Sequence, residues 1–134
     1  MKGSYFLIIK VEKNIQISIG KLGIISFEKG YYIYVGSGLN SLEKRINRHL
    51  RNQKKIHWHI DYLLKYGKII EVYYKENTTR EECILAKKLE KKLMSINDFG
   101  CSDCKCKSHL YYGNIDDIKL LIKNLKMKQY NIGL

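Results

Sequence analysis

The chain of 134 residues contains no proline and only 13 acidic residues, against 25 lysines and arginines. It also has no internal repeat, low-complexity segment or linker, so we expect a single domain that is large enough to form a core without crosslinks. The scarcity of acidic residues leaves a formal net charge of +12. This charge favours a polyanionic partner, most often nucleic acid. The alternative is a lysine-rich solvated surface, because lysine and isoleucine are both abundant.

Long hydrophobic runs are absent too, since no apolar stretch approaches the roughly 20 residues that span a bilayer. The first residues, Met1 to Ser4, lead into a short alternating stretch and not into the apolar block of a signal peptide. We therefore expect a soluble, cytoplasmic protein. Cysteine is scarce, with four residues, of which three fall within six positions. In a reducing compartment such clustering indicates metal ligands or free thiols before a disulfide framework.

Strand and helix patterns occur in mixed order along the chain. β-Branched and aromatic runs between turn residues predict strands over residues 5–12, 15–19, 24–27, 31–35, 69–74 and 110–112. Apolar residues at helical spacing, with capping residues before them, predict helices over residues 41–50, 58–65, 80–94 and 115–126. Strands that come first and a helix-strand-helix mixture that follows predict an α+β fold, in which helices flank a small, mostly antiparallel sheet.

The most informative segment is 31–38, a β-rich run that ends in a glycine-permissive turn, Gly36-Ser37-Gly38. Arg45 follows Gly36 by nine positions on a basic helix. This layout lets a tyrosine hydroxyl and an arginine fork converge on one phosphate. The tyrosine would accept or relay a proton only if its pKa were lowered, as a nearby cation or metal would do. The alternatives are a tyrosine packed in the sheet with its hydroxyl at the rim, and an arginine that is one more solvated charge.

Two short motifs carry a resemblance to a known family. Tyr34-Val35-Gly36, followed by a helix with Arg45, resembles the second half of the GIY-YIG nuclease signature, and Gly3-Ser4-Tyr5 resembles its first half. More closely, the chain resembles an uncharacterised, mostly archaeal family that is distantly similar to GIY-YIG nucleases and is sometimes fused to endonuclease III-type DNA glycosylases. The segments that carry this closer resemblance span nearly the whole chain and are 34–38, Arg45 with His49, 57–63, 99–104 and 108–110.

The resemblance implies a catalytic set. Tyr5 and Tyr34 would be the paired tyrosines, one of which accepts a proton from water, and Arg45 would hold the scissile phosphate. His49 lies one helical turn after Arg45, so it could contact the same phosphate or help to move protons. A surface histidine is the alternative for His49.

The resemblance also implies a divalent ion, Mg²⁺ or Mn²⁺, that a glutamate on a later helix binds. We choose Glu82 as this ligand, and Glu81 and Glu90 are the second choices. The competing interpretation makes Glu82 the reciprocal half of a capping box that begins at Thr79. The first motif reads Gly-Ser-Tyr, and an extra hairpin lengthens the interval before the second motif. A non-catalytic nucleic-acid-binding module is therefore the alternative to an enzyme.

The segment His57-Trp58-His59-Ile60-Asp61 combines two histidines, a tryptophan and a carboxylate. In a helix, His57 and Asp61 would share a face, and in an extended chain His57, His59 and Asp61 would line one side. Either set could bind a divalent metal or act as acid and base. The alternative is a hydrogen-bonded helix start in which Trp58 anchors the core.

A second cluster of potential ligands comprises Cys101, Cys104, Cys106 and His109. These side chains could form a tetrahedral zinc site. Buried free thiols, or a bond that links Cys83 to one of the three cysteines, are the alternatives. Asp103 and His109 could also face the active cleft.

Taken together, these patterns and the resemblance predict a metal-dependent DNA endonuclease with a possible link to DNA repair. Its DNA-binding residues would form a basic surface whose affinity falls steeply with salt, and they are Lys44, Arg48, Arg51, Lys54 and Lys55. The alternatives are a non-catalytic module with a structural Cys/His metal site, and a zinc protein whose basic face binds RNA.

Overall fold

The computed structural model describes residues 1–52, 55–101 and 106–133. The strands are β1 (Gly3–Val11), β2 (Ile15–Ser18), β3 (Ile24–Phe27), β4 (Gly30–Gly38), β5 (Lys68–Glu76), β6 (Met94–Ser95), β7 (Leu110–Gly113) and β8 (Lys128–Tyr130). The helices are α1 (Leu42–Leu50), α2 (His59–Leu63), α3 (Glu82–Glu90) and α4 (Ile115–Asn124), and a 3₁₀ turn covers Gly20–Leu22. The predicted α+β class is confirmed. None of the helices in the described ranges has both the length and the apolar character that crossing a membrane requires.

Strand β1 lies inside one six-stranded antiparallel sheet, whose order is β6-β7-β4-β1-β5-β8. Its apolar, β-branched sequence suits this buried position. β1 pairs with β4 along its whole length, from Gly3 opposite Gly38 to Val11 opposite Gly30. The same register sets Tyr5 opposite Gly36 and Tyr34 opposite Leu7. Because side chains alternate along a strand, both tyrosines point to the same face of the sheet.

The alternation of β1 side chains creates two cores. Tyr5, Leu7 and Ile9 belong to the first core, which joins one face of the sheet to α1, α2 and the β2-β3 hairpin. Phe6 and Ile8 belong to the second core, which joins the opposite face to α3 and α4. Helix α1, with its predicted arginine and histidine, therefore packs on the face that carries both tyrosines.

Strands β2 and β3 form a separate two-stranded sheet, which is the extra hairpin predicted between the two tyrosine motifs. Gly23 follows the 3₁₀ turn with φ at 78°, a value that residues with a side chain rarely adopt. At the base of the hairpin the Lys29 N–H donates to Asn14 Oδ1 at 2.7 Å. The hairpin thus leaves the sheet after β1 and returns the chain to β4 beside it.

Two predicted boundaries are wrong. The chain does not break at Gly36-Ser37-Gly38, because β4 continues to Gly38 while it pairs with β1. The predicted helix over 80–94 is shorter, since α3 ends at Glu90 and Met94 lies in β6, opposite Tyr112 of β7. In the second case strand pairing outweighs helical propensity, which is a weak preference.

The predicted helix caps have mixed outcomes. Ser41 Oγ accepts from the Lys44 N–H at 3.2 Å, and Asn114 Oδ1 accepts from the Asp117 N–H at 2.8 Å, so these two caps of α1 and α4 are confirmed. The predicted capping box at the start of α3 is absent. Glu81 is the cap residue, and its side chain makes no capping hydrogen bond.

Candidate active site

A pocket of about 220 Å³ brings together residues from β1, β4, α1, α2 and α3. Seven of the predicted site residues lie in its wall. The lining consists of Tyr5, Tyr34, Gly36, Ser37, Arg45, His57, Trp58, His59, Arg80, Glu82, Gly100 and His109.

Gly36 explains how the Tyr5 side chain reaches this pocket. A Cβ atom at Gly36 would meet the ring and the hydroxyl oxygen of Tyr5, which stands opposite on β1. The Tyr5 ring therefore crosses β4 through the space that any larger residue would occupy. The glycine in the Tyr-Val-Gly motif is required by this close approach and not by a turn.

Tyr5 forms a buried hydrogen bond with His49, whose Nε2 lies 2.6 Å from the phenol oxygen. His49 is only 2% exposed, so the surface-histidine alternative is wrong. Burial raises the pKa of Tyr5 well above its usual value, and the charge of Tyr34 adds to this effect, while Arg45 opposes it. The phenol is protonated at neutral pH, and the tautomer of His49 decides whether it donates to Nε2 or accepts from it.

Tyr34 stands beside the same histidine, with ring centres 6.1 Å apart. Burial raises the pKa of Tyr34 well above its usual value, and Arg45 counteracts this only in part. The expectation that a neighbouring cation lowers a tyrosine pKa is therefore wrong for both tyrosines, because desolvation outweighs the charge. Any proton transfer at this site must pass through neutral phenols.

Trp58 holds two arginines of α1 in place. The Arg45 Cζ atom lies 4.4 Å from the centre of the indole, and the Arg48 Cζ atom lies 4.3 Å from it. Such stacking is favourable and suits the flat guanidinium group. Within the described residues Arg45 makes no ion pair. Its charge therefore faces the pocket next to the two phenols.

Asp61 has its carboxylate fully occupied by protein donors. Arg48 donates to its two oxygens at 2.9 and 3.0 Å, and the backbone N–H groups of His57 and Trp58 donate to Oδ2 at 2.8 and 2.9 Å. Burial alone would raise the pKa of Asp61, but these hydrogen bonds hold it below its usual value. The arrangement agrees with the structural alternative for this segment, a hydrogen-bonded helix start.

The two histidines of that segment do line the pocket. The Gly100 N–H donates to His59 Nδ1 at 2.9 Å, so in the neutral ring the proton resides on Nε2. Burial lowers the pKa of His59. His57 packs edge-on against Trp58, with ring centres 4.6 Å apart. The structure thus separates the predicted trio, with the histidines at the pocket and Asp61 in an ion pair behind it.

Glu82 is the first residue of α3, and it lines the pocket. Its Oε1 lies 3.9 Å from Arg80 Nη1. Its Oε2 is buried and accepts no hydrogen bond from the described residues. A buried carboxylate oxygen without a donor is costly unless a cation compensates it. Glu81 and Glu90, the other candidates, are not among the lining residues.

Cys83, Cys106 and His109 form a group that could hold a metal ion, since their ligand atoms all lie within 4.8 Å of one another. His109 Nε2 is 3.8 Å from Cys83 Sγ. The two sulfur atoms are paired as a disulfide, with Cα atoms 6.0 Å apart. This pairing agrees with the predicted alternative that links Cys83 to the cysteine cluster.

The predicted zinc ligands are therefore only partly brought together. Cys101 is not in the group, and its Sγ lies 3.4 Å from the Phe99 carbonyl oxygen. Cys104, like Asp103, lies outside the described residues. His109 borders both the cysteine pair and the pocket. Burial lowers its pKa, so the ring is neutral near pH 7.

The predicted basic surface borders a second depression of about 310 Å³. Arg45 lines both this depression and the pocket, so the two are adjacent. Lys55 is exposed, and Lys54 lies outside the described residues. The lining of the depression is Gly38, Asn40, Ser41, Lys44, Arg45, Arg48 and Arg51.

Sequence reasoning gave no functional role to three pocket residues, Ser37, Arg80 and Gly100. Ser37 has a buried Oγ with no hydrogen-bond partner in the described part of the chain, and its place between two glycines was the available signal. Gly100, with φ at 74°, supplies the N–H that orients His59, and nothing local indicates this contact.

A search of curated proteins and a search of solved structures each found no match. A family model described as "Domain of unknown function DUF123" matches residues 4–130, nearly the whole chain. The chain therefore belongs to the DUF123 family.

Proposed function

We propose that this protein is a metal-dependent DNA endonuclease of the GIY-YIG type, with a role in DNA repair. The observation that carries the proposal is the meeting of Tyr5, Tyr34, Arg45 and Glu82 in the wall of one pocket. Phosphodiester hydrolysis requires a group that takes a proton from water, a cation that binds the phosphate and a compensating charge for the leaving oxygen. These four side chains have the chemistry for those tasks.

The proton path begins at Tyr5. Its phenol can accept a proton from an attacking water while it passes its own proton to His49 Nε2, 2.6 Å away. Such a relay needs no phenolate, which agrees with the raised pKa of Tyr5. As the water loses its proton, its oxygen bonds to phosphorus, the opposite phosphorus–oxygen bond breaks, and the leaving oxygen takes a proton from solvent. Tyr34 lies beside the relay and orients the water.

Arg45 binds the scissile phosphate in this scheme. Its guanidinium can donate to two phosphate oxygens at once, and the stack on Trp58 fixes its plane. Ser37 offers a further donor, since its buried Oγ has no partner in the described residues. Together they would neutralise the charge that builds on phosphorus during attack.

Glu82 fits a divalent ion because its buried Oε2 lacks a donor. Mg²⁺ or Mn²⁺ is the expected ion, since such hard cations bind through one or two carboxylates together with water and substrate phosphates. When bound, the ion would supply charge for the leaving oxygen. The chain's own contribution is the carboxylate, held by the first turn of α3 near Tyr34.

The DNA backbone would extend from the pocket into the neighbouring depression, which Arg45 also lines. Lys44 and Arg51 line it, and so does Arg48, whose guanidinium is engaged by Asp61. Phosphate contacts from such cations make binding strongly dependent on salt. The net charge of +12 would speed the encounter with DNA.

The test is cleavage of plasmid and single-stranded DNA in Mg²⁺ or Mn²⁺. We expect the parent protein to nick DNA, and Glu82→Gln and Tyr34→Phe to lower the rate by about 100-fold or more. Glu81→Gln is the matched control, because it makes the same chemical change one residue earlier, outside the pocket. An inactive parent, or equal loss in both glutamate variants, would refute the proposal.

The second candidate is a non-catalytic nucleic-acid-binding module with a structural Cys/His metal site. The nearly complete burial of Tyr5 and Tyr34, 1% and 8% exposed, favours it. This candidate predicts salt-sensitive binding of DNA or RNA with no cleavage in either metal. Binding of both nucleic acids by fluorescence anisotropy, measured beside the cleavage assay, separates the two functions.

A further inference from the structure

The cysteine pair lies beside His109 at the edge of the pocket, and none of the three takes part in the hydrogen bond between Tyr5 and His49. Cys83 is in the first turn of α3, and Cys106 and His109 belong to the segment that enters β7. The three ligand atoms converge although 23 residues separate the two cysteines in sequence. This convergence joins a helix on one side to a strand entrance on the other.

The atoms that face one another are those that a soft metal ion would bind. In a tetrahedral zinc site, bond lengths of about 2.3 Å to sulfur and 2.1 Å to nitrogen place these two ligands roughly 3.6 Å apart. The observed separation of His109 Nε2 from Cys83 Sγ is 3.8 Å. The observed separation is therefore close to the one that a shared zinc ion requires.

We propose that Cys83, Cys106 and His109 bind one zinc ion, which anchors the first turn of α3 to the start of β7. Two thiolates and one imidazole form a donor set that selects zinc over hard cations such as Mg²⁺. Zinc binding converts both thiols to thiolates and releases two protons. The cysteines are thus ligands in their reduced form. A two-electron oxidant such as hydrogen peroxide would join the metal-free thiols as the disulfide, with the peroxide reduced to water.

The experiment uses the full chain, purified with a thiol-free reductant and then dialysed without it. We expect one zinc per chain and Co²⁺ replacement that gives the near-ultraviolet absorption of cobalt–thiolate bonds. Cys83→Ser and Cys106→Ser should lose this absorption and lower the zinc affinity by more than the roughly 100-fold effect of losing an outer-shell partner. Cys101→Ser is the matched control and should keep the absorption, because Cys101 is not in the group.

Counting the thiols of the parent protein, in a separate sample that has never been exposed to reductant, guards against variants that fail to fold. All four cysteines should react after denaturation with a chelator, and fewer should react in the folded zinc form. If two cysteines stay unreactive after chelation and denaturation, a disulfide occupies the site and the proposal is wrong. Four reactive thiols without bound zinc or cobalt would also overturn it. Neither result depends on DNA cleavage.

Discussion

Arg45 and Arg48 lie three residues apart on α1 and stack on the same indole, yet their surroundings differ. Arg48 donates to both oxygens of a buried carboxylate and to the Lys55 carbonyl oxygen. Arg45 has no acidic partner in the described residues and faces a pocket with two phenols. The Arg48 guanidinium is therefore engaged within the protein, whereas the Arg45 guanidinium can still bind an anion in the pocket.

The same contrast separates the two regions around these arginines. Around Asp61, the carboxylate oxygens receive four hydrogen bonds. In the pocket, Ser37 Oγ and Glu82 Oε2 are buried without a partner among the described residues. Satisfied polar groups stabilise a fold, whereas buried unsatisfied ones reduce stability and call for a ligand. The first region therefore positions α1, and the second is suited to bind.

The largest expected effect comes from Arg45→Ala. We expect the DNA-cleavage rate to fall by about 100- to 1,000-fold, with little change in the free energy of unfolding, because Arg45 makes no ion pair with the described residues. The matched change Lys44→Ala, in the neighbouring depression, should mainly weaken binding and reduce its salt dependence. Single-turnover cleavage rates and urea unfolding check both variants. Equal effects on cleavage would remove the distinction between the two cations.

Asp61→Ala tests the paired region. Removing this carboxylate leaves Arg48 without its partner and two backbone N–H groups without an acceptor. We expect a loss of about 3 kcal/mol in the free energy of unfolding. Asp116→Ala, an exposed change at the start of α4, should cost less than 1 kcal/mol, on the order of a helix-dipole effect. Urea denaturation measures both, and a small loss in Asp61→Ala would contradict the structural role.

Gly36→Ala tests the close approach between β4 and Tyr5. The added methyl group would collide with the phenol ring, so we expect a loss of roughly 1–3 kcal/mol in stability and a displaced Tyr5 hydroxyl. In a Tyr5→Ala background the same change should cost much less, which a double-mutant cycle would show. Additive effects would mean that Gly36 serves another purpose.

The smallest expected effect concerns alkaline pH. Tyr5 and Tyr34 have pKa values raised above 10.0, their usual value, so below pH 10 both are protonated whether the chain is folded or unfolded. Above pH 10 the unfolded chain ionises first, and stability falls as pH rises. Tyr34→Phe should make this fall less steep. Tyr66→Phe, at a side chain that is 61% exposed, should leave it unchanged in thermal melts.

The sequence pattern was sufficient for the centre of the fold and insufficient for its edges. The β-branched run of β1 and the aromatic run of β4 are long enough to be recognised. β6 and β8 have two and three residues, too few for any periodicity. Their positions depend on pairing with β7 and β5, which only the folded chain supplies.

The site divides in a similar way. The motifs at Tyr34 and Arg45 are local, so spacing predicted that they would meet. The raised tyrosine pKa values depend on burial from several elements, and no spacing rule contains that information. Cys83 joined Cys106 and His109 because α3 starts beside the entrance to β7, which is a tertiary relation. Glu82 remains a prediction, and the absence of the capping box removes its main competing role.

The ladder between β1 and β4 has a consequence for how the pocket meets a substrate. Tyr5 of β1 is paired with residues of β4 and β5, and Tyr34 of β4 is paired with residues of β1 and β7. Amide hydrogens at such positions exchange with solvent only through the largest opening motions of a protein. The phenols are therefore preorganised, and under the proposed function the adjustments that accompany DNA entry would come from the helices around them.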